Sequence, residues 1–236
     1  MKIIIDENKV KKLGKIGVIL RWTSIGFLII ALIAVFSPNA IENQTTLSIY
    51  FGVLIVGVLI SSISNSLTSR YGKSPRPDEL LDMTFKGLDD KYSFYHYKTS
   101  IPHLLIGPAG IWTIIPSFVD GEIIFDEKKK IWTRKSGSFL NRFLSREAFG
   151  RPDKELIDFR KGFSKLLKEN EIVEPEEIGL NAAVILLNKN CTINGSGNEK
   201  GILILPKDKA KDKFRKIAKN PVKIKDEILE VLSKFD

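Results

Sequence analysis

Few side chains in this 236-residue chain could do metal, nucleophilic or phosphate chemistry, and their spacing limits what each can do. Asp120-Gly121-Glu122 sets two carboxylates around a glycine, a pair able to hold a hard cation such as Mg²⁺ through oxygen. Carboxylates that flank a turn glycine are usually solvated, and Asp89-Asp90 likewise has the composition of a turn. The chain has two histidines, His96 and His103, and one cysteine, Cys191, so no Cys/His set has zinc-ligand spacing and no intramolecular disulfide can form. His103 opens an apolar run and reads as a core histidine with its hydrogen bonds satisfied; Cys191, with no histidine near it in sequence, reads as structural or inert. The glycine-rich segment Gly195 to Gly201 lacks the strand-loop-helix context and the Gly-Lys-Ser/Thr ending through which a phosphate cradle works, and reads as a flexible hairpin.

The strongest charge feature is Lys207 to Lys225, with nine basic and two acidic residues. Lys207, Lys209, Lys211, Lys213, Arg215, Lys216 and Lys219 form a basic surface on a helix whose apolar side is Ala210, Phe214, Ile217 and Ala218. Such a surface suits anionic lipid headgroups or nucleic acid, and it also has the composition of a solvated helix face. Lys128 to Lys130 with Trp132, Arg134 and Lys135 is a smaller cluster, which fits the two faces of a hairpin as readily as a nucleic acid platform.

The elements that position these residues divide into a membrane part and a soluble part. Hydrophobic residues make up 43% of the chain and its mean hydropathy is −0.02, which fits that mixture. The net charge of +9 is uneven: residues 1–76 carry nine Lys/Arg against three Asp/Glu, and residues 77–236 carry 28 against 25. Juxtamembrane charge therefore accounts for most of the basic balance. After a basic N-terminal segment, 1–15, two apolar runs of 21 residues follow, Ile16 to Phe36, interrupted only by Arg21, and Leu47 to Leu67. At 1.5 Å per residue each spans roughly 30 Å, the thickness of a bilayer's hydrocarbon core. Arg21, Trp22 and Tyr50 lie near the span ends, where such side chains favour the interface. The connector Ser37 to Thr46 lacks Lys and Arg while both outer flanks are basic, so the positive-inside rule predicts a transmembrane hairpin over 16–68 in the cell membrane, with both termini in the cytoplasm. A cleaved signal peptide and a buried hairpin of a soluble protein are the rival readings of these runs.

Ser69 to Pro77 has linker composition, and residues 78–236 then read as one cytoplasmic α/β domain. A helix begins at Asp78 and a strand covers Tyr92 to Tyr97. His103 to Ile106 and Ile111 to Ile115 are central strands joined by Gly107-Pro108-Ala109-Gly110, in which Gly110 can supply a positive φ. Gly121 to Phe125 pairs with Ile131 to Arg134, and Gly137 to Gly150 is a less regular connection. Pro152-Asp153 opens a helix reaching about Asn170, with Leu156, Phe159, Phe163, Leu166 and Leu167 on one stripe. After the acidic loop Glu171 to Gly179, Asn181 to Leu187 is a strand buried on both faces, Ile202 to Leu205 is another, and Lys207 to Ala218 and Lys223 to Phe235 are amphipathic helices. These elements predict a mixed sheet of five or six strands, the Asp153 helix packed on it and the basic helices at its edge.

This element order, with HLLIGPAGIWTI at its centre, resembles the nuclease-related domain (NERD) family, which has a restriction-endonuclease-like fold; the resemblance covers roughly Asp78 to Ala218. His103, Gly107-Pro108, Gly110 and Gly121 match the family's pattern. The resemblance implies a site where an Asp and a Glu hold a divalent cation and a Lys stabilises charge, and it places those three functions at Pro102, Ile115 and Ser117. None of these can replace a carboxylate or an ammonium, so the implied site is non-catalytic. Glu79 corresponds to a helix acid of the family and is left without partners, and the family's glutamine position falls near Glu155. The expectation is a membrane-anchored pseudoenzyme that binds nucleic acid or another protein, with the bilayer as a further partner and no small-molecule substrate or cofactor. The alternative is a divergent Mg²⁺-dependent nuclease acting on DNA through Glu79, Asp120 or Glu122.

Overall fold

The computed structural model describes residues 1–36, 44–129, 131–135, 149–172, 179–194, 198–199 and 201–235. The chain forms two compact units, Asp6–Glu79 and a second made of Met1–Ile5 with Leu80–Asp236.

The first unit is a pair of long helices, α1 (Glu7–Val35) and α2 (Gln44–Leu67), ending in a π-helical turn, Thr68–Gly72. Both helices are long and apolar enough to cross a membrane. Large apolar side chains point outward along them, Trp22, Ile33, Phe51 and Leu59 among them. Small residues let the helices approach: the Ser64 hydroxyl donates to the Gly17 carbonyl at 2.8 Å, and a Cβ at Gly57 would lie 3.2 Å from that of Phe27. At Gly52, by contrast, a Cβ would meet nothing within 4 Å.

The second unit is built on a mixed seven-stranded sheet with strand order β1-β2-β3-β4-β7-β10-β9. Its strands are β1 (Lys2–Ile5), β2 (Ser93–His96), β3 (His103–Gly107), β4 (Gly110–Ser117), β7 (Leu180–Leu186), β9 (Asn198–Glu199) and β10 (Ile202–Pro206). A separate three-stranded sheet has β5 (Gly121–Asp126) between β6 (Ile131–Lys135) and β8 (Cys191–Asn194). The seven-stranded sheet exceeds the expected five or six because two unexpected strands join it, β9 beside β10 and β1, which pairs in parallel with β2 from Lys2↔Ser93 to Ile5↔His96. The first five residues thus belong to the soluble unit, whereas a single N-terminal segment 1–15 was expected, and α1 starts at Glu7.

The remaining helices are α3 (Pro77–Phe85), α4 (Pro152–Glu169), α5 (Lys207–Ile217) and α6 (Asp226–Ser233). Alternation along the strands sorts the core into two layers. Leu104, Ile106, Ile111, Val184 and Leu186 share one cluster with Leu156, Phe163 and Leu167 of α4, with Ile228 and Leu232 of α6, and with Ile123 and Trp132 of the small sheet. Leu105, Trp112, Ile114, Ala183 and Ile185 share the other with Leu81 and Phe85 of α3 and Ala210 and Phe214 of α5. The basic helix α5 accordingly lies over a sheet face and not at the edge, because Phe214 meets Phe85 and Trp112 edge-on at centroid distances of 5.2 and 5.1 Å. The strands of the central hairpin run as expected, and Gly110 has φ +97° at its turn. Parts of four expected connections, 37–43, 136–148, 173–178 and 195–197 with 200, lie outside the described residues.

Gly107 shows how closely the second layer is packed, since a Cβ there would lie 2.7 Å from Cγ of the buried Tyr92 ring. Gly107→Ala is therefore expected to destabilise the soluble unit by about 1–3 kcal/mol through overpacking. A thermal unfolding midpoint equal to that of the unsubstituted protein would contradict this packing.

Candidate functional site

β3 and β4 position the residues at which the sequence resemblance implies chemistry. The β3–β4 ladder ends at Leu104↔Thr113; Pro102 immediately precedes β3, two residues beyond that pair, and Ile115 lies two residues beyond it on β4. Ile115 and Ser117 alternate onto one face of β4, and their partners in β7 are Val184 and Leu186. The three positions therefore lie at one end of the β3–β4 pair, with Ile115 and Ser117 on the layer that contains α4. They carry no ionisable group: Ile115 is half-buried against the core, Ser117 is buried, and the Pro102 carbonyl accepts the Tyr97 N–H at 2.8 Å.

The acids considered as alternative ligands have local partners. Glu79, in the first turn of α3, accepts from the Ser74 hydroxyl at 2.8 Å and the Arg76 N–H at 3.0 Å, and pairs with the Arg76 guanidinium at 3.0 Å. Asp120 is ion-paired with Arg134, and Glu122 accepts from the Asn194 side-chain amide at 3.0 Å. Arg134 and Asn194 belong to the strands on either side of β5, so these acids tie the small sheet together. Among the described residues no group of three His, Cys, Asp or Glu side chains has metal-binding geometry.

On the opposite face of the sheet the two histidines meet. His96 and His103 are cross-strand partners in β2 and β3, their Nδ1 atoms are 2.8 Å apart, and His96 Nε2 lies 3.0 Å from Asp82 Oδ1 on α3. A contact between two ring nitrogens requires one to donate and the other to accept. With His96 Nε2–H donating to the Asp82 carboxylate, His96 Nδ1 becomes the acceptor and His103 Nδ1–H the donor, a tautomer pattern assigned from the network. This Asp82–His96–His103 chain has the connectivity of a proton relay, but His96 is 0% and His103 5% exposed. It acts as a buried polar tie between α3 and the sheet, as the reading of His103 as a core histidine anticipated. The Asp82 and His96 contributions were missed; the signal for His96 was its place in the strand preceding that of His103.

Cys191 is buried in β8, and burial pushes its thiol pKa up while the Arg134 charge opposes that rise, which keeps it from being a ready nucleophile. On α5, Lys209, Arg215 and Lys216 are exposed and Lys207, Lys211 and Lys213 half-buried; Lys219, just past its end, is also exposed. At 100° per residue these side chains form two rows, Lys207–Lys211–Arg215 and Lys209–Lys213–Lys216, one on each side of Asp208 and Asp212. The basic surface thus has an acidic crest, a pattern that net charge alone does not reveal. No family model matches the chain, and no curated protein or solved structure matches it.

The histidine tie gives a measurable expectation. His96→Phe removes a hydrogen-bond partner from both Asp82 and His103 and should lower stability by about 2 kcal/mol or more, whereas Asp82→Asn retains an acceptor oxygen and should cost about 1 kcal/mol. Equal losses in the two variants on thermal unfolding would show that the His–His contact contributes nothing.

Proposed function

We propose that this protein is a membrane-anchored, non-catalytic module related to the nuclease-related domain, which binds nucleic acid or a protein partner at the cytoplasmic face. The observation that carries this reading is the placement of Pro102, Ile115 and Ser117 at one end of the β3–β4 pair without a carboxylate or an ammonium among them. The element order from α3 through the β2–β3–β4 meander, α4, β7, β10 and α5 supports the relationship. The ion pair of Asp120 with Arg134 and the hydrogen bond of Glu122 to Asn194 weigh against the alternative of a displaced metal site, the only reading in which Mg²⁺ would enter. The two basic rows of α5 are the proposed contact surface.

The pairing of β1 with β2 supports a hairpin topology, because a strand and its sheet share one aqueous compartment. The segment between them then crosses the bilayer an even number of times. Together with the basic outer flanks, this favours both termini in the cytoplasm. It also weighs against a cleaved signal peptide, whose removal would take away a strand of the sheet.

Two experiments test the proposal. The purified chain in non-ionic detergent, incubated with single- and double-stranded DNA and RNA and with Mg²⁺, Mn²⁺ or chelator, is expected to cleave none of them. Any nucleic acid binding should weaken with salt, with a slope of about −0.9 per duplex phosphate contacted. Metal-dependent cleavage abolished by Glu79→Ala, Asp120→Ala or Glu122→Ala would refute the non-catalytic reading. For topology, a C-terminal tag should resist external protease in intact cells and be digested once the membrane is permeabilised; digestion in intact cells would reverse the assignment.

A further inference from the structure

Two adjoining clefts lie where the α3–β2 connection, the β3–β4 turn and the segment following α5 come together. The first, of about 690 Å³, is lined by three cationic side chains, Lys91, Arg215 and Lys219, with Asp89 the single acid. The second, of about 230 Å³, is walled by Tyr95, Ile106, Val222, Ile224 and Leu229. Lys91 and Pro108 line both, so the two clefts adjoin at these residues.

The walls are held in place by the fold. Arg215 follows the wholly buried Phe214, and its guanidinium donates to the Gly87 carbonyl at 2.7 Å, which fixes the charge at the cleft. The Val222 N–H donates to the Pro108 carbonyl at 3.0 Å, which fixes the apolar wall against the β3–β4 turn. Even so, the Val222 side chain is 55% and that of Leu229 44% exposed. The result is a charged pocket beside water-exposed apolar surface.

We propose that the two adjoining clefts together bind an anionic phospholipid, with its phosphate among Lys91, Arg215 and Lys219 and the first part of an acyl chain reaching past Lys91 and Pro108 to Val222, Ile224 and Leu229. The three cations complement a net negative headgroup and disfavour a zwitterionic one, whose ammonium would approach them. A free phosphate would use only the first cleft and leave the apolar wall wet. Nucleic acid would bring phosphates but needs ring faces on which bases can stack, and the nearby aromatics, Tyr92 at 2% and Tyr95 at 5% exposure, offer none. A chain with two helices apolar enough for a bilayer would have such lipids close at hand. The proposal does not depend on the nuclease-related reading, and each can fail without the other.

The test uses the purified chain in non-ionic detergent, titrated with short-chain dihexanoyl lipids below their micelle concentration. Saturable binding of dihexanoyl phosphatidylglycerol is expected, with dihexanoyl phosphatidylcholine and inorganic phosphate each weaker by about tenfold or more. Lys219→Glu and Val222→Asp, both at exposed positions, should each weaken phosphatidylglycerol binding by about fivefold or more, while Lys161→Glu on α4 should not. Equal affinity for the two lipids, or an affinity indifferent to both Lys219→Glu and Val222→Asp, would overturn the proposal. So would an oligonucleotide that binds more tightly than the lipid and loses its affinity with Lys219→Glu, since the cleft would then belong to nucleic acid. The comparison of lipids in the unsubstituted protein decides the matter even if a variant fails to fold.

Discussion

The parallel pairing of β1 with β2 joins residues separated by the whole of α1 and α2. Closing so long an intervening segment would carry a large entropic cost if that segment were flexible. Here it is a helical hairpin whose two ends already lie together: a Cβ at Gly14 would lie 2.9 Å from the Tyr71 carbonyl oxygen, and one at Gly17 3.1 Å from the Thr68 nitrogen. The small residues at the open end of the hairpin thus do part of the work of sheet closure. In the sheet, Ile4 is buried with Tyr95, and β1 covers what would otherwise be the free edge of β2. The helical hairpin and the sheet are each a compact unit by itself.

Strand alternation gives the sheet two chemically unlike faces. The layer with α4 and α6 takes Ile115 and, by alternation along β4, Ser117, and its cluster continues into the small sheet through Ile123 and Trp132. The layer with α3 and α5 takes the histidine tie and the aromatic contacts among Phe85, Trp112 and Phe214. The basic rows are set out by the same residues that bury α5. Ala210 and Phe214 fix the inward stripe, and helical geometry then sends the lysines to its flanks.

Much of this order was legible in the sequence. The apolar runs after His103 and Ile111, the AAVILL segment and the α4 stripe all gave strands or helices in the expected places, and Leu104, Ile106, Ile111, Ile114, Phe163, Val184 and Leu186 are buried, with Leu166 half-buried beside them. What was not legible is non-local. β1 is a four-residue strand separated from the start of α1 by a single residue, and nothing in its own composition states that its partner is β2. The β5–β6 hairpin was readable from its turn, where the Asp126 carboxylate accepts from the N–H groups of Lys128 and Lys129, but its separation into a second sheet depends on β8, a short strand with alternating exposure. The stripe of α5 told which side is buried and not which surface buries it. Asp82 carried no local signal at all, because its partner is a histidine fourteen residues away on a different element.

Under the proposed reading, the three departures from the nuclease pattern stand together for a physical reason. A carboxylate at position 115 would be half-buried beside Val184, on the apolar layer of the sheet, and an unpaired charge there is costly unless a cation or donor compensates it. A carboxylate at position 102, just before β3, would lie near the same end of the β3–β4 pair, and two like charges brought close there repel each other without a metal between them. Once one ligand is lost and the cation no longer binds, the other becomes a liability to the fold, and so does an ammonium left at position 117. Replacement by Pro, Ile and Ser removes every buried charge at once and lets Ile115 pack against the core. The glycines of the motif are not released in the same way, since Gly107 is held by the Tyr92 ring and Gly110 by its positive φ. This division explains how the motif can keep its backbone-determining residues while its chemistry-bearing positions change.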